Sequence, residues 1–76
     1  MAEISVSLKN RCIFVKINGA LHLRIQTADL LIVHSWHYDD NYFIEFTMRG
    51  ADPVVIEHDK REIWLAILAG LEKVEW

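Results

Sequence analysis

The stretch YFIEFTMRGADPVVIEHDKREIWLAILAGLEKV, residues 42–74, decides the fold class. It alternates, turns, alternates again and then changes to a helical period. Tyr42, Ile44, Phe46 and Met48 share one parity and Phe43, Glu45, Thr47 and Arg49 the other, as in an antiparallel strand with one wet face. Arg49-Gly50-Ala51-Asp52 makes a turn, and Pro53 is tolerated at the first residue of a strand. Val54 and Ile56 then resume the alternation against Val55 and Glu57. From Ile63 the spacing changes: Ile63, Trp64, Ile67, Leu68, Leu71 and Val74 form one wide apolar stripe on a helix. Asp59-Lys60-Arg61-Glu62 fits a capping box, in which a short acceptor and a Glu three residues later satisfy each other's backbone N–H groups. Lys60, Arg61, Glu62, Glu72, Lys73 and Glu75 gather near the two ends, so the helix is expected over residues 60–73. Trp64, Ile67, Leu68 and Leu71 should dock on Ile44, Phe46, Met48, Val54 and Ile56.

Upstream, Ile4, Val6 and Leu8 alternate with Ser5, Ser7 and Lys9, a half-buried first strand over residues 3–9. Asn10-Arg11 turns the chain into an apolar run from Cys12 to Ile17. Asn18-Gly19 is the preferred two-residue loop of a type I′ hairpin, with Ile17 opposite Ala20 and Val15 opposite His22. That register makes the hairpin apolar on both sides, with Ile13, Val15 and Ile17 on one and Phe14, Leu21, Leu23 and Ile25 on the other. After the polar step Gln26-Thr27-Ala28-Asp29, Leu30 to Tyr38 reads as a long strand. Asp39-Asp40-Asn41 closes it onto Tyr42 as a three-residue loop. Such a loop keeps Leu30, Ile32, His34, Trp36 and Tyr38 on the dry face, Trp36 near Ile44 and His34 near Phe46. The sequence therefore specifies one α+β domain over residues 1–76: an antiparallel β-meander of about five strands and one C-terminal amphipathic helix packed on the sheet.

A chain of 76 residues buries only about 60% of its unfolded surface, yet 53% of these residues are hydrophobic and three are Trp. The surplus points to self-association. No apolar run approaches the roughly 20 residues of a membrane span, so no membrane partner is expected. Met1-Ala2-Glu3-Ile4 has neither the basic start nor the apolar core of a signal peptide. A single cysteine, Cys12, excludes an internal disulfide and a cysteine-based zinc site. The expected setting is cytoplasmic. Net charge is −3 but unevenly shared: Lys9, Arg11, Lys16 and Arg24 stand against Glu3 alone in residues 1–26, and residues 27–76 hold ten acidic side chains against four basic ones. That imbalance can orient a partner, though it falls short of a nucleic-acid footprint.

No constellation makes an enzyme. His34 and His37 are three apart, which on a strand sends the rings to opposite faces, and His22 and His58 are remote from both. Glu57-His58-Asp59 places a base between carboxylates, but neighbours on a strand diverge and Asp59 already serves as the cap. Asp39-Asp40-Asn41 is too short for the six to eight oxygens of a calcium site. Cys12 has no base beside it and reads as a small buried apolar residue. No metal and no cofactor are expected.

The order of strands, with Asn18-Gly19 in a hairpin and a helix at the end, loosely resembles a short flagellar and swarming-associated family over residues 17–70. It also resembles the transcriptional-coactivator type of single-strand binder, a sheet followed by a dimerising helix. The second resemblance implies a basic, aromatic binding face, from which this chain departs. The leading expectation is a small non-enzymatic protein acting through self-association or a protein partner, with a homodimer favoured. Candidate contacts are Phe14, Leu21 and Leu23 on the first hairpin and Tyr38, Tyr42 and Phe43 around an aromatic hairpin tip that also holds Trp36. A helix contact through Leu65, Ala66, Ala69 and Gly70 is the less favoured geometry, because covering a strand face removes more apolar area from water. The alternative is a nucleic-acid-binding module using Lys9, Arg11, Lys16 and Arg24.

Overall fold

A computed structural model describes residues 2–74 and 76. Met1 and Glu75, the latter counted above among the charges at the helix end, lie outside the described residues. Strands β1 (Ile4–Lys9), β2 (Cys12–Ile17) and β3 (Ala20–Gln26) form one antiparallel meander. A 3-10 turn over Thr27–Asp29 leads into a second meander of β4 (Leu30–Tyr38), β5 (Asn41–Met48) and β6 (Val54–His58). Helix α1 (Arg61–Lys73) follows. The class is α+β, with six strands split between two three-stranded sheets.

Turn chemistry sets the first sheet. Asn10 and Arg11 have φ of 53° and 62°, Asn18 and Gly19 have 52° and 81°, and two successive left-handed residues give the hairpin turn that matches strand twist. Each turn is tied down. The Thr27 backbone N–H and hydroxyl both donate to the Arg11 carbonyl, at 2.9 and 3.1 Å. The Asn18 N–H donates to the Glu3 carbonyl at 2.7 Å, and the Glu3 N–H donates to Asn18 Oδ1 at 2.8 Å.

Ile17 pairs with Ala20 as expected, but the next pairs differ from the expected register. Lys16 faces Leu21 and Val15 faces Leu23, so His22 is an extra residue in β3 and Val15 does not oppose it. A bulge of one residue reverses the parity of everything beyond it. Leu23 and Ile25 thereby join Ile13, Val15 and Ile17 on the inner face, and all five are buried. The hairpin is not apolar on both sides, and Leu23 is a core residue instead of an interface candidate.

A similar correction applies to β4. The loop has two residues, Asp39 (φ 52°) and Asp40, and Asn41 already pairs with Tyr38. Trp36 therefore pairs with Phe43, Ser35 with Ile44 and Val33 with Phe46. Val33, Ser35 and His37 take the inner side, while His34, Trp36 and Tyr38 face outward. Leu31 is an extra residue between Leu30 and Ile32, and this second bulge returns Leu30 to the core.

The helix lies along β1, β5 and β6 and so touches both sheets. Ile63, Ile67 and Leu71 join the buried cluster, with Trp64 and Leu68 packed at its margin beside Met48, Val54 and Ile56. The Trp64 indole N–H donates to the Phe43 carbonyl at 3.0 Å, pinning the first turn to β5. Gly70 has an ordinary helical backbone, but a Cβ there would lie 2.6 Å from Val6 Cγ2 and 2.7 Å from Val6 Cβ. The small-residue patch serves the chain's own first strand.

The expected capping box does not form. The helix begins at Arg61, Lys60 holds the cap position and no side chain bonds there. His58 Nδ1 accepts the Lys60 N–H at 3.1 Å. In that role Nδ1 carries no proton, so the Asp59 carboxylate 3.3 Å away is a neighbour and not a hydrogen-bond partner.

Two stability changes follow. Gly70→Ala should destabilise by about 1–3 kcal/mol through overpacking on Val6, reversing the gain of about 1 kcal/mol that removing a helical glycine otherwise brings. A urea midpoint at or above wild type would contradict the close approach. Asp59→Ala should stay within about 0.5 kcal/mol of wild type, whereas His58→Ala should lose about 0.5–1.5 kcal/mol with the hydrogen bond; the two midpoints measured side by side decide it.

Candidate functional site

With both inner faces in one core, the two outer faces are the broad surfaces left to meet a partner. The outer face of β4–β6 is aromatic. Its rows follow from the pairing: Ile32 beside Thr47, His34 beside Glu45 and Val55, Trp36 beside Phe43 and Glu57, and Tyr38 beside Asn41. Trp36 stacks on Phe43 at a centroid distance of 5.1 Å and an interplanar angle of 13°, and His34 stacks on Trp36 at 5.3 Å and 26°. Three rings thus form a continuous platform. Around it Tyr38 is 71% exposed, Ile32 59% and Val55 49%, values that core packing does not produce. Leu31, lifted out by its bulge, adds apolar surface at the edge.

The outer face of β1–β3 differs in chemistry. Its rows are Ser5–Lys16–Leu21, Ser7–Phe14–Arg24 and Lys9–Cys12–Gln26. Lys9, Lys16 and Arg24 project from it around the half-buried Phe14, and Leu21 is exposed. Charge is sorted by sheet. β1–β3 contain three basic residues and no Asp or Glu, and β4–β6 contain Glu45 and Glu57 and no Lys or Arg.

The residues singled out by sequence are dispersed accordingly. Tyr38 and Phe43 belong to the outer aromatic face, Phe14 and Leu21 to the opposite, basic one, and Leu23 to the core. Tyr42 lies on the inner side, its ring 5.2 Å from that of Trp64 and 5.8 Å from that of His37. Lys9, Lys16 and Arg24 share a face, while Arg11 sits at its end in the turn. Sequence reasoning placed Trp36 in the core and missed His34 and Ile32 as surface, while Val55 stands on the wet face as expected; the tight Asp39-Asp40 turn was the signal that would have found the other three.

His34 and His37 point to opposite faces, and no group of three or more His, Cys, Asp or Glu among the described residues could hold a metal ion. Glu57 is outward and His58 inward, so they assemble no acid–base pair. Cys12 is a free, buried thiol. No helix among the described residues is long and apolar enough to cross a membrane. Comparison with protein families, with curated proteins and with solved structures finds no match to this chain.

The platform should be measurable as a coupling. A Trp36→Ala, Phe43→Ala double-mutant cycle on stability should return about 0.5–1.5 kcal/mol of interaction energy. Additivity within error would mean that the two rings do not stack in solution.

Proposed function

We propose that this protein is a non-enzymatic interaction module whose outer β4–β6 face binds a protein surface. The observation that carries the reading is the stacked His34–Trp36–Phe43 platform, held outward and ringed by exposed Ile32, Tyr38 and Val55. Rigid aromatic groups of this kind give large contact area for little loss of side-chain freedom, which is why they anchor protein interfaces. Glu45 and Glu57 at its margin favour a partner that brings cations. A reducing, cytoplasmic setting fits the lone buried thiol of Cys12.

Nucleic-acid binding through the first sheet is a second reading. It is favoured by Lys9, Lys16 and Arg24 standing around Phe14 on strands without a carboxylate, because cations hold phosphates and an aromatic ring can stack on a base.

A photo-crosslinking residue at position 38, with one at the exposed Glu72 of the helix as control, separates these readings in cells. Position 38 should form a discrete protein adduct, to itself or to another chain, that position 72 does not. The proposal fails if position 38 gives no adduct above control. The nucleic-acid reading takes its place if a labelled single strand then binds the purified protein, loses affinity steeply between low and moderate salt, and is released by Arg24→Glu.

A further inference from the structure

The chain itself contains a surface that fits the one just described. The outer β4–β6 face needs an occupant with cations beside apolar side chains. The outer β1–β3 face supplies Lys16 and Arg24 beside Phe14 and Leu21.

The spacing agrees as well. Lys16 is on the central strand β2, and Arg24 is on the neighbouring strand β3, opposite Phe14 two residues away. Glu45 is on the central strand β5, and Glu57 is on the neighbouring strand β6, opposite Phe43 two residues away. Glu45 and Glu57 are regular diagonal neighbours across one strand gap, a separation of roughly 7–8 Å, and Lys16 and Arg24 occupy the corresponding rows of the first sheet with the His22 bulge between them. Two cations can therefore meet two carboxylates while Phe14 and Leu21 cover the aromatic platform.

Pairing like with like does not work. A two-fold contact between β4–β6 faces would set Glu45 and Glu57 against their own copies, and one between β1–β3 faces would set cations against cations. Charge disfavours both and favours the crossed arrangement.

We propose that the outer β4–β6 face binds a second copy of this chain, which docks by its outer β1–β3 face with Lys16 and Arg24 on Glu45 and Glu57. The inference rests on reading the β4–β6 face as a protein-docking surface and names its partner. Such a contact is head-to-tail. A pair so formed retains one unused face of each kind, so assembly continues into a ring or an open chain instead of stopping at a two-fold dimer. Each face is only three short strands wide. The contact is therefore at the small end of interface sizes, dependent on concentration and weakened by salt.

Sedimentation velocity from the low micromolar to the millimolar range tests this with the full chain. Wild type at low salt should exceed twice the monomer mass as concentration rises, and should return toward monomer at moderate salt. Lys16→Glu alone and Glu45→Lys alone should each remain monomeric, with melting curves like wild type. Mixed in equal amounts they should associate, because the unaltered β1–β3 face of one variant meets the unaltered β4–β6 face of the other, and the two altered faces carry exchanged charges at the paired positions. Association by either variant alone would show that the Lys16–Glu45 pairing does not hold the contact and would overturn the proposal. A mixture that stays monomeric, or a wild type that stays monomeric throughout, would overturn it too. If wild type is monomeric while position 38 still crosslinks to a different protein, self-docking is wrong and the docking-surface reading stands; if both are absent, both are wrong.

Discussion

Two extra residues, His22 in β3 and Leu31 in β4, decide which side chains this chain hides. Strand side chains alternate with a period of two, so without His22 the apolar Leu23 and Ile25 would face water. Without Leu31, Leu30 would do the same. With both bulges in place, five residues of the first sheet meet Leu30, Ile44 and Phe46 of the second and Ile63, Ile67 and Leu71 of the helix in one cluster. A small domain has little core to spare, and this one reaches a closed core by interrupting its own ladders.

The same geometry determines what is left outside. Once Val33, Ser35 and His37 turn inward, His34, Trp36 and Tyr38 have no alternative to the outer face. Trp36 stacking on Phe43 recovers part of the contact that burial would have given it. Exposed Ile32, Tyr38 and Val55 thus gather with the aromatic platform on the outer β4–β6 face, with its own acidic margin. The basic side chains lie on the other sheet. Packing and surface chemistry are consequences of one parity decision.

Much of this was legible in the residues themselves. Asn18-Gly19 located a turn because few other pairs tolerate two left-handed positions, and the change of period after Glu57 located the helix. That Ile67 and Leu71 share a core with Ile44 and Phe46 followed from matching apolar faces, whereas the helix's close packing along β1 did not. Bulges were not legible: nothing local marks His22 or Leu31 as unpaired, since each is placed by burial of residues further along the strand. Asp39 was misread because an aspartate can enter the left-handed region as asparagine does, which shortened the loop by one residue and reversed a face. Asp59 looked like a cap, yet the imidazole of His58 reached the Lys60 N–H first. The excess of positive charge before residue 27 was visible, but its confinement to one sheet appears only when the strands are assigned.

Both bulged strands are edge strands, β3 at the end of one sheet and β4 at the end of the other. An edge presents a row of free backbone N–H and C=O groups, to which any other extended chain can add. Inserting one residue kinks the row and breaks its regular spacing, so an incoming strand cannot run its hydrogen bonds along the full length. A protein with exposed apolar surface is at particular risk of zipping into fibrils through such edges. Here the residues that steer side chains into the core also make the borders poor templates, and leave broad faces as the better route for one molecule to meet another.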